Sequence, residues 1–395
     1  MRTTGHRRVI AAAATTAAST LTLIGTPAHA QTPSPTAAPS AGADTSELTQ
    51  LAEGYLQHRA ELLTTARPAL KSARGQVQAT RSMSAQVQDE FAALVEKGQR
   101  YQRVDGGYTK AEVDVTVTDV TVTGQSATLQ LTEHTRLYLP FTPQEIEEGA
   151  PEYEESSLPH TVRFAQGPDG AWLLSSDEAD AEGRPTATTQ VADVDVEPAA
   201  DDGGGTPDED EGSKDAGADI APLPDNSVEY VKPAISANYN YGKMVSYANK
   251  YWHNHNDAYR TYGNDCTNFI SQAMLAGGWK PKGGAIIQRK SNKYWFYGPT
   301  KFTTSYTWAG AENWYWFAKK HSKRTKILNN VWKLASADVL QADFNRNNNI
   351  DHTMIVTKKY RGTPYLTYHT SDTHNKSLKK ILSDYPRAWW YAHRT

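Results

Sequence analysis

The chain of 395 residues contains one cysteine, Cys266, in the stretch GNDCTNFISQAMLAGG at 263–278. Asn264 or Asp265 can cap a helix here, because the apolar residues that follow recur at helical spacing. Cys266 is therefore predicted in the first helical turn, where unpaired backbone N–H groups and the helix dipole lower a thiol's pKa. Thiolate is the nucleophilic form, so the placement predicts a catalytic cysteine. The alternative is a buried cysteine that acts as a small apolar side chain.

A thiolate nucleophile needs a base close to it in space, and five histidines follow Cys266 in the chain. His352 and His369 are the candidates, because 353–357 and 365–369 have the pattern of two strands joined by a short turn. A register in which paired residue numbers sum to about 722 or 721 would bring the two histidines within side-chain reach. One histidine could then take the thiol proton while the other orients its ring. Taken singly, each histidine is more typical of an ordinary surface or strand residue than of a catalytic one.

The N-terminus predicts the compartment. Residues 1–30 have a basic start, an Ala/Thr/Leu-rich stretch and Ala28-His29-Ala30 at the end, which is the layout of a secretory signal peptide. Cleavage there would leave Gln31 first. The apolar run is short for a membrane anchor, and no later stretch predicts a membrane span after signal removal. Cysteines of secreted proteins usually occur in disulfide pairs. A single cysteine in a secreted protein therefore favours a thiol with a chemical role.

The next residues predict a small α+β domain at 46–180, after a Pro/Ser/Ala/Thr-rich tether at 31–45. The pattern is helical from Glu47 to about Lys97. Alternating valines then predict strands, with a slip of phase at Thr118-Asp119, and Pro168-Asp169-Gly170 predicts a hairpin turn. The order of elements resembles a cystatin-type helix on a sheet. No catalytic set of residues occurs in this region, which favours a spacer or docking role.

An acidic linker is predicted at 181–227, because Asp193–Asp225 contains twelve Asp or Glu against one Lys and cannot bury enough apolar surface to fold. The remaining region, 228–395, has 25 Lys or Arg against nine Asp or Glu, and nine of the ten tryptophans. Its net charge of about +16 suits a polyanionic partner, such as an anionic envelope polymer, or solubility alone. No recognition motif for nucleic acid occurs, so none is expected as a partner.

Three motifs in the C-terminal region together resemble a known family: DCTNFISQAMLAGGW, ADVLQADFN followed by IDHTMIVT, and YLTYHTSD. They resemble the amidase domain of secreted bacterial proteins, which is similar to the CHAP and NlpC-type cell-wall hydrolases. The resemblance covers roughly 236–395 and implies a papain-like fold, with Cys266 as nucleophile and His352 as base. The third catalytic position maps onto His369, with Asp372 as the other candidate. Ala337 departs from the family, which usually has a glycine there.

Two further patterns have competing interpretations. Asp and Asn at alternate positions in 343–351 resemble a calcium loop, but Asn348 and Met354 stand where glycine and a bidentate glutamate are expected. A polar turn is therefore favoured, and no metal or cofactor is predicted. The aromatic run at 294–317 could line a substrate groove, although Trp314, Trp316 and Phe317 are more typical of core packing.

The sequence thus predicts a secreted α+β protein whose C-terminal domain is a cysteine amidohydrolase or peptidase. The resemblance and the predicted export together imply peptidoglycan, or another cell-wall polymer, as substrate. The alternative class is a non-catalytic module that binds an anionic cell-wall polymer through basic and aromatic residues on a degenerate hydrolase fold. Rapid alkylation of Cys266 near neutral pH would favour the enzyme.

Overall fold

The computed structural model describes residues 41–68, 77–181, 186–189 and 239–395. These residues belong to one compact unit, Ala41–Thr395. The predicted signal peptide, residues 31–40 of the predicted tether and most of the predicted acidic linker lie outside the described residues; residues 41–45, the end of the predicted tether, are helical. Among the described helices, none combines the length and the hydropathy needed to cross a bilayer.

Eight α-helices and ten strands are described. The helices are α1 (Ala41–Glu61), α2 (Arg81–Asp105), α3 (Pro143–Glu147), α4 (Tyr241–Tyr251), α5 (Cys266–Ala276), α6 (Tyr306–Ala309), α7 (Ala311–Tyr315) and α8 (Leu378–Asp384). The strands are β1 (Lys110–Thr123), β2 (Ser126–Tyr138), β3 (Tyr153–Gln166), β4 (Trp172–Ala179), β5 (Lys326–Leu328), β6 (Val339–Asp343), β7 (His352–Tyr360), β8 (Thr363–Tyr368), β9 (Thr373–Ser377) and β10 (Trp389–Arg394). Short 3-10 turns occupy Ile286–Gln288 and Val331–Lys333, and a π-helical turn occupies Trp316–His321.

All ten strands form one antiparallel sheet with the order β1-β2-β3-β9-β8-β7-β6-β10-β5, and β4 pairs with β3. The predicted α+β class is confirmed. The strands of the N-terminal and C-terminal regions meet where β3 pairs with β9, at Glu155 opposite His374 and Ser156 opposite Thr373. The two sequence regions therefore share one backbone hydrogen-bond network.

The N-terminal region has the predicted order of helix and sheet. The helical stretch divides into α1 and α2, and the slip of phase at Thr118-Asp119 is a β-bulge, because the β1–β2 register shifts between Val117 and Asp119. The predicted hairpin joins β3 and β4, with Gly167 N–H donating to Ala171 O across the turn at 2.8 Å. Inward side chains of β1–β4 pack on both helices around fully buried Phe91.

The C-terminal region is built on a buried aromatic core. Trp279, Trp295, Trp308 and Trp314 are each fully buried and pack on α5 and on Ile355 of β7. Trp279 and Trp314 stack with ring centroids 5.7 Å apart. Trp314, Trp316 and Phe317 of the aromatic run at 294–317 are buried, as the core interpretation predicted, whereas Phe302 of the same run is 65% exposed.

Candidate active site

Cys266 is the first residue of α5 and is 1% exposed. Its thiol donates to Asn264 Oδ1 at 3.2 Å, and its Sγ lies 3.6 Å from Thr267 Oγ1. Asp265 holds the N-cap position, but its side chain makes no capping hydrogen bond. The predicted position of the cysteine is thus confirmed, whereas the side-chain cap is absent because the carboxylate of Asp265 is engaged elsewhere.

The Asp265 carboxylate is a buried acceptor for three partners. Oδ1 accepts from Tyr262 N–H at 2.9 Å and from Asn268 Nδ2 at 2.8 Å, and Oδ2 lies 2.7 Å from His369 Nδ1. Its backbone N–H donates to Thr370 Oγ1 at 3.1 Å. These bonds tie the loop before α5 to the end of β8, and so they fix the backbone on which Cys266 stands.

His369 follows β8 directly and lies between two rings. Its imidazole stacks on Phe269 at 3.9 Å and on His255 at 4.1 Å, measured between ring centroids. Nδ1 faces the Asp265 carboxylate, and Nε2 lies 2.7 Å from the carbonyl oxygen of Tyr251. Both nitrogens face acceptors, and only the doubly protonated ring can donate to both.

The protonation of His369 follows from its charged neighbours. Burial opposes the charged ring, but the charge of Asp372, the hydrogen bond and charge of Asp265 and the Tyr251 carbonyl together raise the pKa of His369 above its usual value. His369 is therefore suited to hold a proton and a fixed orientation rather than to accept the proton of a nucleophile.

Asp372 lies beside a histidine that precedes the cysteine in the chain. Its Oδ2 is 3.2 Å from His255 Nε2, and His255 Nδ1 is 3.3 Å from Thr261 Oγ1. Sequence reasoning missed His255 because it considered only histidines after Cys266. The HNHND stretch at 253–257, which shortly precedes Cys266 in the chain, is the signal that could have found it.

The turn that carries these groups has unusual backbone geometry. Thr370 and Ser371 have φ values of 65° and 62°, in the left-handed region that such residues seldom adopt. Thr370 Oγ1 also donates to Asn264 Oδ1 at 3.3 Å, and Ser371 Oγ donates to Ala181 O at 3.1 Å. Strained backbone is kept where surrounding bonds over-determine it, and it is common at functional sites.

His352 is the first residue of β7 and is 2% exposed. Its ring packs edge-on against Tyr368, with centroids 5.0 Å apart, and lies 6.0 Å from the ring of Phe344. The predicted hairpin forms, and residue numbers sum to 722 where Ile355 pairs with Thr367 and Val356 with Leu366, but a bulge then places Lys358, and not Thr357, opposite Tyr365. The β7–β8 ladder does not extend to His352, which pairs with Ala342 of β6, whereas His369 stacks on His255 and Phe269. The predicted pairing of the two histidines across the hairpin is therefore not formed.

The start of β7 contacts the first turn of α5 through two hydroxyls. Thr267 Oγ1 and Thr353 Oγ1 are 2.9 Å apart, and Gln341 Nε2 of β6 donates to Thr353 Oγ1 at 3.0 Å. Each threonine directly follows a predicted catalytic residue, Cys266 or His352. The structure thus brings the helix of the predicted nucleophile and the strand of the predicted base into direct, buried contact.

His255, His369 and Asp372 also offer nitrogen and oxygen ligand atoms within 4.8 Å of one another. The two imidazole planes are stacked only 9° apart, so their lone pairs do not converge on one point, and both nitrogens of His369 already face acceptors. The arrangement fits a hydrogen-bonded network better than a metal-binding set.

The loop 343–351 has the internal bonding of a polar turn. The Asp343 carboxylate accepts from the N–H groups of Asn347 at 3.2 Å and Asn348 at 2.9 Å, and Asp351 Oδ2 accepts from Phe344 N–H at 2.8 Å. Asn348 has a φ of 66°, close to the conformation for which a calcium loop uses glycine. The side-chain oxygens of Asp343 and Asp351 thus face the loop's own backbone.

Residues 238–392 match the model of the family described as "Putative amidase domain". The chain is 28% identical over 151 residues to the uncharacterized protein YhbB of Bacillus subtilis. That alignment covers 38% of this chain and 47% of YhbB, so it spans about half of the relative's length. The C-terminal region is therefore similar to this amidase family, whose description suggests a hydrolase that acts on amide bonds.

Two solved structures align with about a third of this chain each. The Kfla4162 protein from Kribbella flavida is 16% identical over 35% of this chain and 91% of its own, with a TM-score of 0.23. A conserved protein from Planctomyces limnophilus is 11% identical over 35% of this chain and 98% of its own, with a TM-score of 0.19. Neither likeness is close enough to inform the site.

Proposed function

We propose that the C-terminal region is a cysteine-dependent amidase or peptidase with a papain-like fold and Cys266 as its nucleophile. The observation that carries the proposal is the position of the chain's only cysteine at the start of a buried helix, next to Asp265, which lies 2.7 Å from His369. A buried acid and histidine that fix the loop before a thiol are the parts expected of a pre-organised nucleophile.

The proposed reaction proceeds through a thioester. The Cys266 thiolate attacks the amide carbonyl carbon, and backbone N–H groups at the start of α5 stabilise the negative charge on the oxygen. His352, having taken the thiol proton, gives it to the nitrogen of the leaving amine as the C–N bond breaks. Water then attacks the thioester, His352 accepts its proton and returns it to sulfur, and the carboxylic acid is released.

The third polar position is proposed to be His369, acting through Asp265, as a positioning residue rather than a base. Its two nitrogens already face acceptors, so its contribution is to hold the nucleophile loop. Asp372 remains the other candidate, because it lies 3.2 Å from His255 and raises the pKa of His369.

Peptidoglycan is the proposed substrate, with another cell-wall polymer as the broader class, and the protein is proposed to be secreted. The support is the predicted signal peptide at 1–30 together with the basic charge of 228–395, which suits an anionic wall. The N-terminal region, with its cystatin-like order of elements, would then be a docking or spacer part of the same molecule.

Mass spectrometry of fragments released from purified cell walls tests the proposal. The wild-type protein should release new amine and carboxylate ends that identify the cleaved bond, and Cys266→Ala should release none. Asn254→Ala, which changes an exposed polar residue of the same region, is the matched control and should cleave normally. Equal release by Cys266→Ala would refute the cysteine mechanism, and wall binding without cleavage by any variant would favour the binding module.

A further inference from the structure

Three of the four exposed large apolar residues in the described parts of the chain lie close together in sequence after α5. Ile287 is 90% exposed, Phe302 is 65% exposed and Ile286 is 57% exposed; the fourth, Val122, is 42% exposed on β1. A single exposed apolar residue is ordinary, but a cluster on one surface marks an interaction site.

The two loops that carry these residues are held together as one surface by Arg289. Its Nη2 donates to Lys301 O at 3.1 Å and its Nε to Thr304 O at 3.3 Å, and its backbone carbonyl accepts from Tyr306 N–H at 2.8 Å. Ile286–Gln288 forms a short 3-10 turn, so Ile287 is presented on a defined turn of backbone. We call the surface formed by 280–293 and 299–302 the basic apolar face.

The basic apolar face contains no acidic residue. Between Asp265 and Glu312 the chain has no Asp or Glu. Five exposed lysines occur on the face: Lys280, Lys282, Lys290, Lys293 and Lys301. Exposed cations with no acidic residue nearby in sequence produce a local positive potential that attracts an anionic partner.

The combination of charges and apolar side chains decides which anionic partner fits. A soluble polyanion would satisfy the lysines but would leave Ile287 and Phe302 in water. A phospholipid bilayer offers both an anionic headgroup layer and an apolar boundary beneath it. We propose that the basic apolar face binds the surface of an anionic phospholipid bilayer, with Ile287 and Phe302 inserted at the headgroup boundary and the lysines among the headgroups.

This attachment is peripheral and does not depend on the proposed amidase chemistry. The face is linked to the candidate site through Arg260, whose guanidinium donates to Thr304 Oγ1 and whose carbonyl accepts from Asn268 Nδ2 at 3.0 Å. Binding at a membrane would therefore hold the first turns of α5, which contain Asn268, near the bilayer surface.

Vesicle co-sedimentation tests the proposal. The full chain, as its host processes it, is mixed with vesicles of phosphatidylcholine alone or of phosphatidylcholine and phosphatidylglycerol in equal parts. The protein is expected to bind the mixed vesicles, and added salt is expected to weaken this binding. Ile287→Ser combined with Phe302→Ser should lower the partition coefficient about tenfold or more. Each Lys→Gln change at Lys290 or Lys293 should lower it about fivefold.

Val122→Ser is the matched control, because it removes an exposed apolar side chain that is distant in sequence from the five lysines of the basic apolar face. The Val122→Ser variant should bind the vesicles as the wild type does. All of these variants share residues 1–40, so differences among them report the face itself. Binding that ignores phosphatidylglycerol, or that survives the double serine change, would overturn the proposal. The proposal would also be overturned if the wild type and the double variant bound soluble polyphosphate equally well and neither bound vesicles more tightly than polyphosphate.

Discussion

At the scale of single residues, Asp265 is the group on which the candidate site depends most. It is 3% exposed, and its two oxygens serve Tyr262, Asn268 and His369 at once. A carboxylate can accept from all three donors, whereas an amide of the same size has one oxygen and adds a donor. The residue before the proposed nucleophile is thus a buried carboxyl group that holds the surrounding loop in place.

Asp265→Asn should lower kcat by about tenfold or more with little change in KM, because it loosens the loop that holds Cys266 without touching substrate. The same change removes the charge that helps raise the pKa of His369, so NMR should show that ring losing its extra proton at a lower pH. Asp257→Asn, at an exposed position of the same region, is the control and should change neither quantity. A His369 titration unaltered by Asp265→Asn would contradict the assigned pairing.

At the scale of elements, the N-terminal sheet contains a buried charged network across three strands. His160 of β3 lies 2.9 Å from Glu133 of β2 and 2.7 Å from Asp177 of β4. Burial alone would favour the neutral ring, but the two carboxylates raise the pKa of His160 to about 9. The strands are therefore joined by charge as well as by backbone hydrogen bonds.

This network predicts a pH dependence of stability. Because the folded pKa of His160 is raised, its stabilisation is complete below the usual value near 6.5 and is lost as pH rises toward about 9. Denaturant unfolding should show the free energy of unfolding lower by about 3 kcal/mol at pH 10 than at pH 6 from this group. His160→Gln should remove that difference, and His58→Gln should preserve it. An unchanged pH profile in His160→Gln would show that another group is responsible.

At the scale of the whole molecule, the N-terminal and C-terminal regions are joined by buried polar contacts as well as by β3 and β9. Asp384 of α8 accepts from Tyr101 of α2 at 2.6 Å and pairs with Lys376 at 3.0 Å and Arg100 at 3.0 Å. Burial opposes its charge, but Lys376 and Lys97 lower the pKa of Asp384 well below its usual value. Such contacts are typical of a permanent interface rather than of two independent domains.

Asp384→Ala should therefore destabilise both regions together. It leaves the buried ammonium of Lys376 without its carboxylate, at a cost of about 3–5 kcal/mol. Scanning calorimetry should show one unfolding transition in the wild type and one, at lower temperature, in the variant. Asp114→Ala is the control: this exposed carboxylate lies 3.8 Å from Arg136, and its removal should shift the unfolding temperature little. Two separate transitions, of which only one moves, would contradict the shared fold.

Several features could be predicted from sequence because they depend on neighbours along the chain. Helical spacing after Cys266 located α5, alternation with a slip of phase located β1 and its bulge, and the strand–turn–strand pattern located the β7–β8 hairpin but not the bulge within it. The family motifs in 236–395 agree with the family match over residues 238–392. Each of these patterns depends on residues that are only a few positions apart, so the local sequence is enough to predict the element.

Other features were decided only by tertiary structure. His255 precedes the cysteine by eleven positions and His369 follows it by more than a hundred, yet their rings stack at 4.1 Å. The Asp265 side chain, predicted as a possible helix cap, instead accepts hydrogen bonds from Asn268 of α5 and faces His369, which directly follows β8. The pairing of β3 with β9, which joins the two regions, could likewise not be predicted from the sequence. Contacts between distant residues depend on how whole elements pack, and no local pattern encodes that packing.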